Sequence, residues 1–193
     1  MDQPTVRLIL GILLALYFLV HIPLDIWMSV RPKKKLKTHG VKDDDNANIL
    51  LGLSSLVIWG LWILYVLYPL SYPQPPDYIQ IICLVAITFA TFVSIWARIT
   101  RGLYSYSWGL NDDTPLRTTG PYRFIRHPTY SFYFVLFIFL PILTGVLFAL
   151  VSVLGIYGYA RTVAVEEQLL IAHFGDAYQA YQKRTWKFIP FLW

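Results

Sequence analysis

Thr118-Thr119-Gly120-Pro121-Tyr122-Arg123-Phe124-Ile125-Arg126-His127-Pro128-Thr129-Tyr130 packs a glycine, two prolines, two arginines and a histidine in front of an apolar run. Gly120-Pro121 predicts a turn, and His127 is steered toward an extended backbone because a proline follows it. Pro128 suits the first position of a helix, where its missing N–H costs nothing. The stretch therefore reads as a polar strap that feeds a helix N-terminus where membrane meets water. Most of the remaining chain is apolar, which makes this strap the candidate centre of a binding site.

Composition supports the membrane setting. Of 193 residues, 56 % are hydrophobic and 14 % charged, against roughly 25 % charged in an average soluble domain. The single cysteine, Cys83, excludes an intrachain disulfide. His21, His39, His127 and His173 show no metal-ligand spacing, and no Gly-x-Gly occurs to start a dinucleotide-binding fold. One lysine cluster beside a membrane does not make a nucleic-acid site.

Working outward, five apolar runs emerge. Val6–Met28 can cross a hydrocarbon core of about 30 Å; without a basic leader or a small-residue cleavage site it reads as a retained helix. Ile49–Leu70 and Tyr78–Ala97 are the second and third. The fourth, Thr129–Leu143, is short and has to start at or before Pro128 to reach across. Pro141 and Gly145 predict a tight hairpin into the fifth, which begins at Val146 and continues past the interface to Phe174. Gly155, Gly158 and Ala160 suit close helix packing. Gly175 fits a helix stop, and Asp176 with Gln179 fits the start of a short amphipathic helix with a capping box. Asp45 or Asn46 is a candidate cap for the second helix. Trp186, Phe188, Phe191 and Trp193 read as interface anchors.

The fold class is thus an all-α integral membrane protein of about five transmembrane helices. The fourth and fifth form a tight hairpin, and a cytoplasmic C-terminal helix follows. Arg31 to Lys42, Arg98 to Arg126 and the tail from Lys183 fall on one side. The excess of basic residues in cytoplasmic segments makes that side cytoplasmic and the N-terminus extracytoplasmic. The segment from Leu103 to Arg126 is long and rich in aromatics, a composition that favours order.

Two constellations share the basic side: the strap, and Arg161, Glu166 and Glu167 on the fifth helix. An antiparallel hairpin brings His127 opposite residues 161–167. The helix end at Pro128 suits a carboxylate or phosphate. Arg123 and Arg126 either add to that site or bind lipid headgroups. Glu166 and Glu167 suit a sugar diol; they point about 100° apart, so one is expected to face solvent. Arg161 lies inside an apolar run, where charge calls for a partner, a snorkelling path or an anionic substrate. His21 and Asp25, one turn apart, either meet headgroups or line a cavity.

Leu116-Arg117-Thr118-Thr119-Gly120-Pro121-Tyr122, Arg126-His127-Pro128-Thr129-Tyr130, Glu166-Glu167, and Phe174-Gly175-Asp176-Ala177-Tyr178 with Tyr181 resemble the isoprenylcysteine carboxyl methyltransferases and the related phospholipid N-methyltransferases. The resemblance runs from Leu116 to Pro190. One departure is Thr114-Pro115-Leu116-Arg117-Thr118, where the family often reads His-x-Leu-Val-Thr. The length of 193 residues fits one membrane domain over 1–193, with a three-helix part at 1–100; the resemblance implies a cofactor-binding half at 101–193. It implies S-adenosylmethionine as cofactor, with Leu116, Tyr122, His127, Pro128, Thr129, Tyr130 and Glu166 or Glu167 as its contacts. Arg161 matches the position implied to hold a substrate carboxylate. The implied acceptor is a prenylcysteine-like lipid or a prenylated protein C-terminus, with no metal and no nucleic acid involved.

A sulfonium methyl is already activated, so positioning an acceptor in line with it suffices. A carboxylate acceptor needs no base, whereas an amine arrives protonated and needs one. The carboxylate is therefore the leading reading and a phospholipid amine the alternative. A sterol-type NADPH reductase also carries a strap of this kind, and a non-catalytic lipid-binding scaffold is the remaining class. The adjacent glutamates and the Phe-Gly-x-x-Tyr tail favour methyl transfer.

Overall fold

A computed structural model describes residues 1–30, 45–68, 72–102 and 115–191. The basic loop, Thr114, the aromatics at 104–108 and Trp193 lie outside the described residues. The helices are α1 (Gln3–Val30), α2 (Asp45–Leu67), α3 (Asp77–Arg101), α4 (Pro128–Thr144), α5 (Leu154–Phe174) and α6 (Asp176–Lys183). A 3-10 segment, Leu147–Val153, leads into α5. No strand is formed among the described residues, and four segments are long and apolar enough to cross a membrane: Gln3–Ile26, Asn46–Leu67, Asp77–Arg101 and Leu147–Phe174. α4 is shorter: its 17 residues span about 26 Å at 1.5 Å each. The all-α membrane architecture expected from the sequence is what the chain adopts.

Polar contacts set the helix directions. The Met1 amino group pairs with Asp77 at the start of α3, and Asp25 pairs with Arg98 near its end, so α1 and α3 run parallel. Arg7 donates to the carbonyls of Tyr65 (3.0 Å) and Val66 (2.9 Å) at the end of α2, which makes α2 antiparallel to α1. A guanidinium is well placed there, at carbonyls the helix leaves without partners. The Trp62 indole adds a bond to the Leu10 carbonyl at 3.1 Å. α4 closes at Gly145, whose N–H returns to the Ile142 carbonyl, and the chain turns back into α5 there as the Gly145 signal predicts; Pro141, expected to mark the turn, lies inside α4.

α2 and α5 pack backbone to backbone. A Cβ added at Gly158 would sit 2.7 Å from the Ala47 carbonyl oxygen, and one at Gly155 2.6 Å from Ser54 Cβ. Small residues permit this approach, and dispersion between the helices then does the holding. Gly158→Leu is expected to cost about 2–3 kcal/mol, since a backbone atom cannot step aside. Thermal unfolding in detergent reads this out; an unchanged midpoint would contradict so close an α2–α5 contact.

Three local expectations are corrected. Asp176 is the first residue of α6, not its cap; Gly175 holds the cap position and no side-chain cap bond forms, so there is no capping box. α2 already begins at Asp45. Phe188 is no interface anchor: it is fully buried, 4.8 Å from the Phe134 ring and 5.9 Å from the His127 ring. Phe191, by contrast, is exposed, and Trp186 leans on it.

Candidate functional site

The strap is held from both sides. Gly120 has φ +59°, and a Cβ there would meet Thr100 Oγ1 at 2.6 Å. Only glycine satisfies both demands, so the 3-10 turn Gly120–Arg123 presses directly on α3. From the other side the tail pairs with the strap. The Trp186 N–H bonds the Phe124 carbonyl (3.0 Å), and the N–H groups of Arg126 and His127 bond the carbonyls of Trp186 (2.8 Å) and Lys187 (3.1 Å). The Tyr181 hydroxyl donates to the Tyr122 carbonyl at 2.6 Å, and Ser131 Oγ to the Phe188 carbonyl at 2.6 Å.

These elements enclose a cleft where α3 and α5 end and α4 begins. Its walls include Leu116, Tyr122, His127, Pro128, Thr129, Tyr130 and Glu166, all named from the sequence. Arg101, Leu170, Phe174, Tyr178 and Tyr181 complete much of the remainder. The α4 end offers less than its prolyl start suggests. The N–H groups of Tyr130 and Ser131 already bond the His127 carbonyl at 3.1 Å each, and Pro128 has none, so Thr129 is the first-turn amide left for a ligand.

The adjacent glutamates part company, and neither simply faces solvent. Glu166 turns to the cleft, takes a hydrogen bond from the Tyr130 hydroxyl, and lies 3.7 Å from His127 Nδ1. Glu167 is buried against the strap and tail. Its Oε1 receives Arg126 Nε at 2.7 Å and lies 3.4 Å from His127 Nε2, while Lys187 Nζ is 3.3 Å from Oε2. Arg126 also donates to the carbonyls of Gln182 (3.2 Å) and Thr185. Arg126 is thereby mainly a clasp between strap, α5 and tail, although part of it reaches the cleft. Arg123 is exposed, with its guanidinium 6.0 Å from the Phe124 ring centre.

Arg161 is exposed on α5 and borders neither this cleft nor the cavity behind it. The guanidiniums that line these spaces come instead from α3. Arg98 is 3 % exposed, and Arg101 lines both spaces. The sequence reading used these two only to orient the chain. A signal was present: Thr91, Ser94, Arg98 and Arg101 recur at spacings of three and four, a polar stripe on one face of an apolar helix. His21 and Asp25 both border the cavity behind, and Asp25 is at the same time exposed, so it meets both the cavity and the surroundings.

Several buried polar atoms of cleft-wall residues have no hydrogen-bond partner among the described residues: Arg101 Nε, Tyr122 Oη, Thr129 Oγ1, Glu166 Oε2 and Tyr178 Oη. Burial pushes the Tyr122, Tyr178 and Tyr181 phenols above their usual range, so all three remain O–H donors at neutral pH. Beside them stands an apolar wall of Leu116, Leu170 and Phe174. The cleft can therefore hold a ligand that is part aromatic or apolar and part polar, with an anionic group near Arg101 and hydroxyls near Glu166. Among the described residues no group of His, Cys, Asp and Glu is placed to hold a metal ion.

Fold and site define a class: an all-α membrane protein whose strap, helix ends and tail close a polar cleft at one end of the bundle. The phospholipid methyltransferase family model matches residues 78–177, from α3 into α6, and the chain belongs to that family. It is 28 % identical over 195 residues to a protein-S-isoprenylcysteine O-methyltransferase from Dictyostelium discoideum, covering 93 % of this chain and 76 % of that one. It is 32 % identical over 130 residues to methanethiol S-methyltransferase 1 from Bradyrhizobium diazoefficiens, covering 61 % of this chain and 44 % of that one. A protein-S-isoprenylcysteine O-methyltransferase from Schizosaccharomyces pombe is 32 % identical over 84 residues, covering 42 % and 36 %. The chain thus spans less than half the length of the second and third of these relatives.

Proposed function

We propose that this chain is an integral membrane methyltransferase that uses S-adenosylmethionine to methylate the carboxylate of a prenylcysteine-like lipidic acceptor. The observation that carries the reading is the cleft itself, with Glu166, Arg101 and an apolar wall converging inside the segment the family model matches. When bound there, S-adenosylmethionine supplies a methyl group already activated by its sulfonium.

The chain's own residues fit that cofactor. Glu166 would accept from the ribose hydroxyls, Arg101 and the Thr129 amide would take the carboxylate, and Leu116, Leu170 and Phe174 would cover the adenine. Tyr122 and Tyr178 bring donors that otherwise lack partners. His127, 3.7 Å from Glu166 and 3.4 Å from Glu167, would keep the two carboxylates in register. The basic end of the bundle, with the cleft, would face the cytoplasm, and the N-terminus the opposite side.

A carboxylate is favoured over a phospholipid amine because the half-buried Arg101 lines the cleft and the buried Arg98 the cavity behind it, and both guanidiniums repel an ammonium. Titration of the purified chain is expected to show binding of S-adenosylmethionine and none of NADPH. The reverse result would leave a reductase. Offered a prenylcysteine analogue beside phosphatidylethanolamine, the protein is expected to methylate the former.

A further inference from the structure

Behind the cleft lies a second cavity inside the bundle, walled by α1, α3, α4 and α5 with Leu51 of α2. The two spaces meet at Arg101, Thr129 and Tyr130, which line both. α1 lies outside the stretch matched by the family model, so its contribution, His21 and Asp25, is not part of that pattern.

Five buried polar atoms on residues bordering this cavity have no hydrogen-bond partner among the described residues: Arg98 Nε, Arg101 Nε, Thr129 Oγ1, Thr162 Oγ1 and His21 Nε2. Two are obligate donors and two are hydroxyls that can donate. Orphaned buried donors are costly, so several of them on the residues around one space call for an acceptor-rich occupant that their side chains can turn to. His21 Nδ1 faces the Tyr17 carbonyl at 2.9 Å. A carbonyl only accepts, so Nδ1 carries the proton and Nε2 is the edge turned to the cavity.

Charge points the same way. Among the described residues that line this cavity, two guanidiniums, Arg98 and Arg101, stand with one carboxylate, that of Asp25, while Glu166 bears on Arg101 from the cleft side. Arg98 is 3 % exposed, but the Asp25 side chain is 63 % exposed. A buried cation held by a solvent-exposed anion can exchange that anion at little desolvation cost, because the leaving carboxylate is already largely wet.

We propose that this inner cavity is the acceptor site, that Arg98 and Arg101 grip the acceptor's carboxylate, and that Asp25 is the resident counter-anion it displaces. This assigns the clamp to α3 rather than to Arg161, and it rests on the carboxylate methylation reading above. In the transfer, a carboxylate oxygen forms the new O–CH3 bond. The C–S bond breaks with its electron pair returning to sulfur, and no proton moves. The product ester is neutral. Both guanidiniums lose their anionic partner at that moment, Asp25 re-pairs with Arg98, and the ester is released.

The test needs no methyl donor. N-acetyl-S-farnesylcysteine and its methyl ester are titrated into the purified full chain in detergent. The acid is expected to bind at least about tenfold more tightly than the ester, the value of one charge-assisted hydrogen bond. Asp25→Asn is expected to tighten the acid several-fold and leave the ester unchanged. The charge-balanced pair Arg98→Gln with Asp25→Asn, chosen because it strands no buried charge, is expected to cut the preference several-fold, with Arg101 holding the remainder. Equal binding of acid and ester by the unaltered chain, or an undiminished preference in the double variant, overturns the assignment. S-adenosylmethionine titrated in parallel separates the two ideas: its failure to bind removes the methyl-transfer reading, while the acid-over-ester preference still reports on the inner cavity.

Discussion

Arg126→Ala is expected to destabilise the folded protein by about 3–5 kcal/mol, the usual consequence of removing one partner of a buried ion pair. Arg126 and Glu167 side chains are 9 % and 10 % exposed, so solvent does little to screen their contact. The substitution leaves the Glu167 carboxylate to His127 and Lys187 and strips the Gln182 and Thr185 carbonyls of a donor. Those carbonyls lie where α6 passes into the tail. The expected signature is therefore double: a lower unfolding temperature in detergent, and early protease cleavage after about Lys183. Arg126→Lys keeps one charge but not the planar fork, and should fall between. A tail that stays protected in the alanine variant would show that the Trp186 and Lys187 backbone bonds suffice without the clasp.

The second large effect separates two neighbours. Glu166→Gln is expected to weaken S-adenosylmethionine binding by about ten- to a hundredfold, the loss of a hydrogen bond to a charged group. Its side chain is 22 % exposed and takes no part in the clasp, so the unfolding temperature should barely move. Glu167→Gln is expected to do the opposite. It removes the anion that Arg126, His127 and Lys187 share, and costs about 2–3 kcal/mol of stability, with a smaller change in cofactor affinity. Binding titration and thermal unfolding on the same two samples decide it. Equal affinity losses in both would mean that the pair acts as one unit and that the division drawn from the geometry is wrong.

Much of the fold was legible because its signals are local. An apolar run long enough to cross a bilayer declares a helix whatever surrounds it. Pro128 opens α4, and Gly145 and Gly175 close α4 and α5, as their backbone preferences require. The glycines of α5 announced a close neighbour, although not that α2 would be the one. The cleft was legible in part for the same reason. Leu116, Tyr122 and His127 to Tyr130 sit on one strap and the helix turn it enters, so proximity in sequence delivered proximity in space.

What the sequence by itself determined is therefore the membrane class, the helices with the ends that Pro128, Gly145 and Gly175 mark, and the strap that turns at Gly120 and enters a helix at Pro128; the fifth helix, expected from Val146, begins only at Leu154 after a 3-10 segment. Tertiary structure alone decided which glutamate faces the cleft, that Arg126 clasps the tail, that Phe188 is core, and that Arg98 meets Asp25 across 73 positions of chain. The physical reason is rotation. A side chain's partner depends on how each helix is turned about its axis, and one residue changes that direction by about 100°. The apolar runs are greasy almost all round, which hides the turn. Packing against α2, α3 and the tail sets it, and so divides Glu166 from Glu167 and draws Arg98 and Arg101 inward.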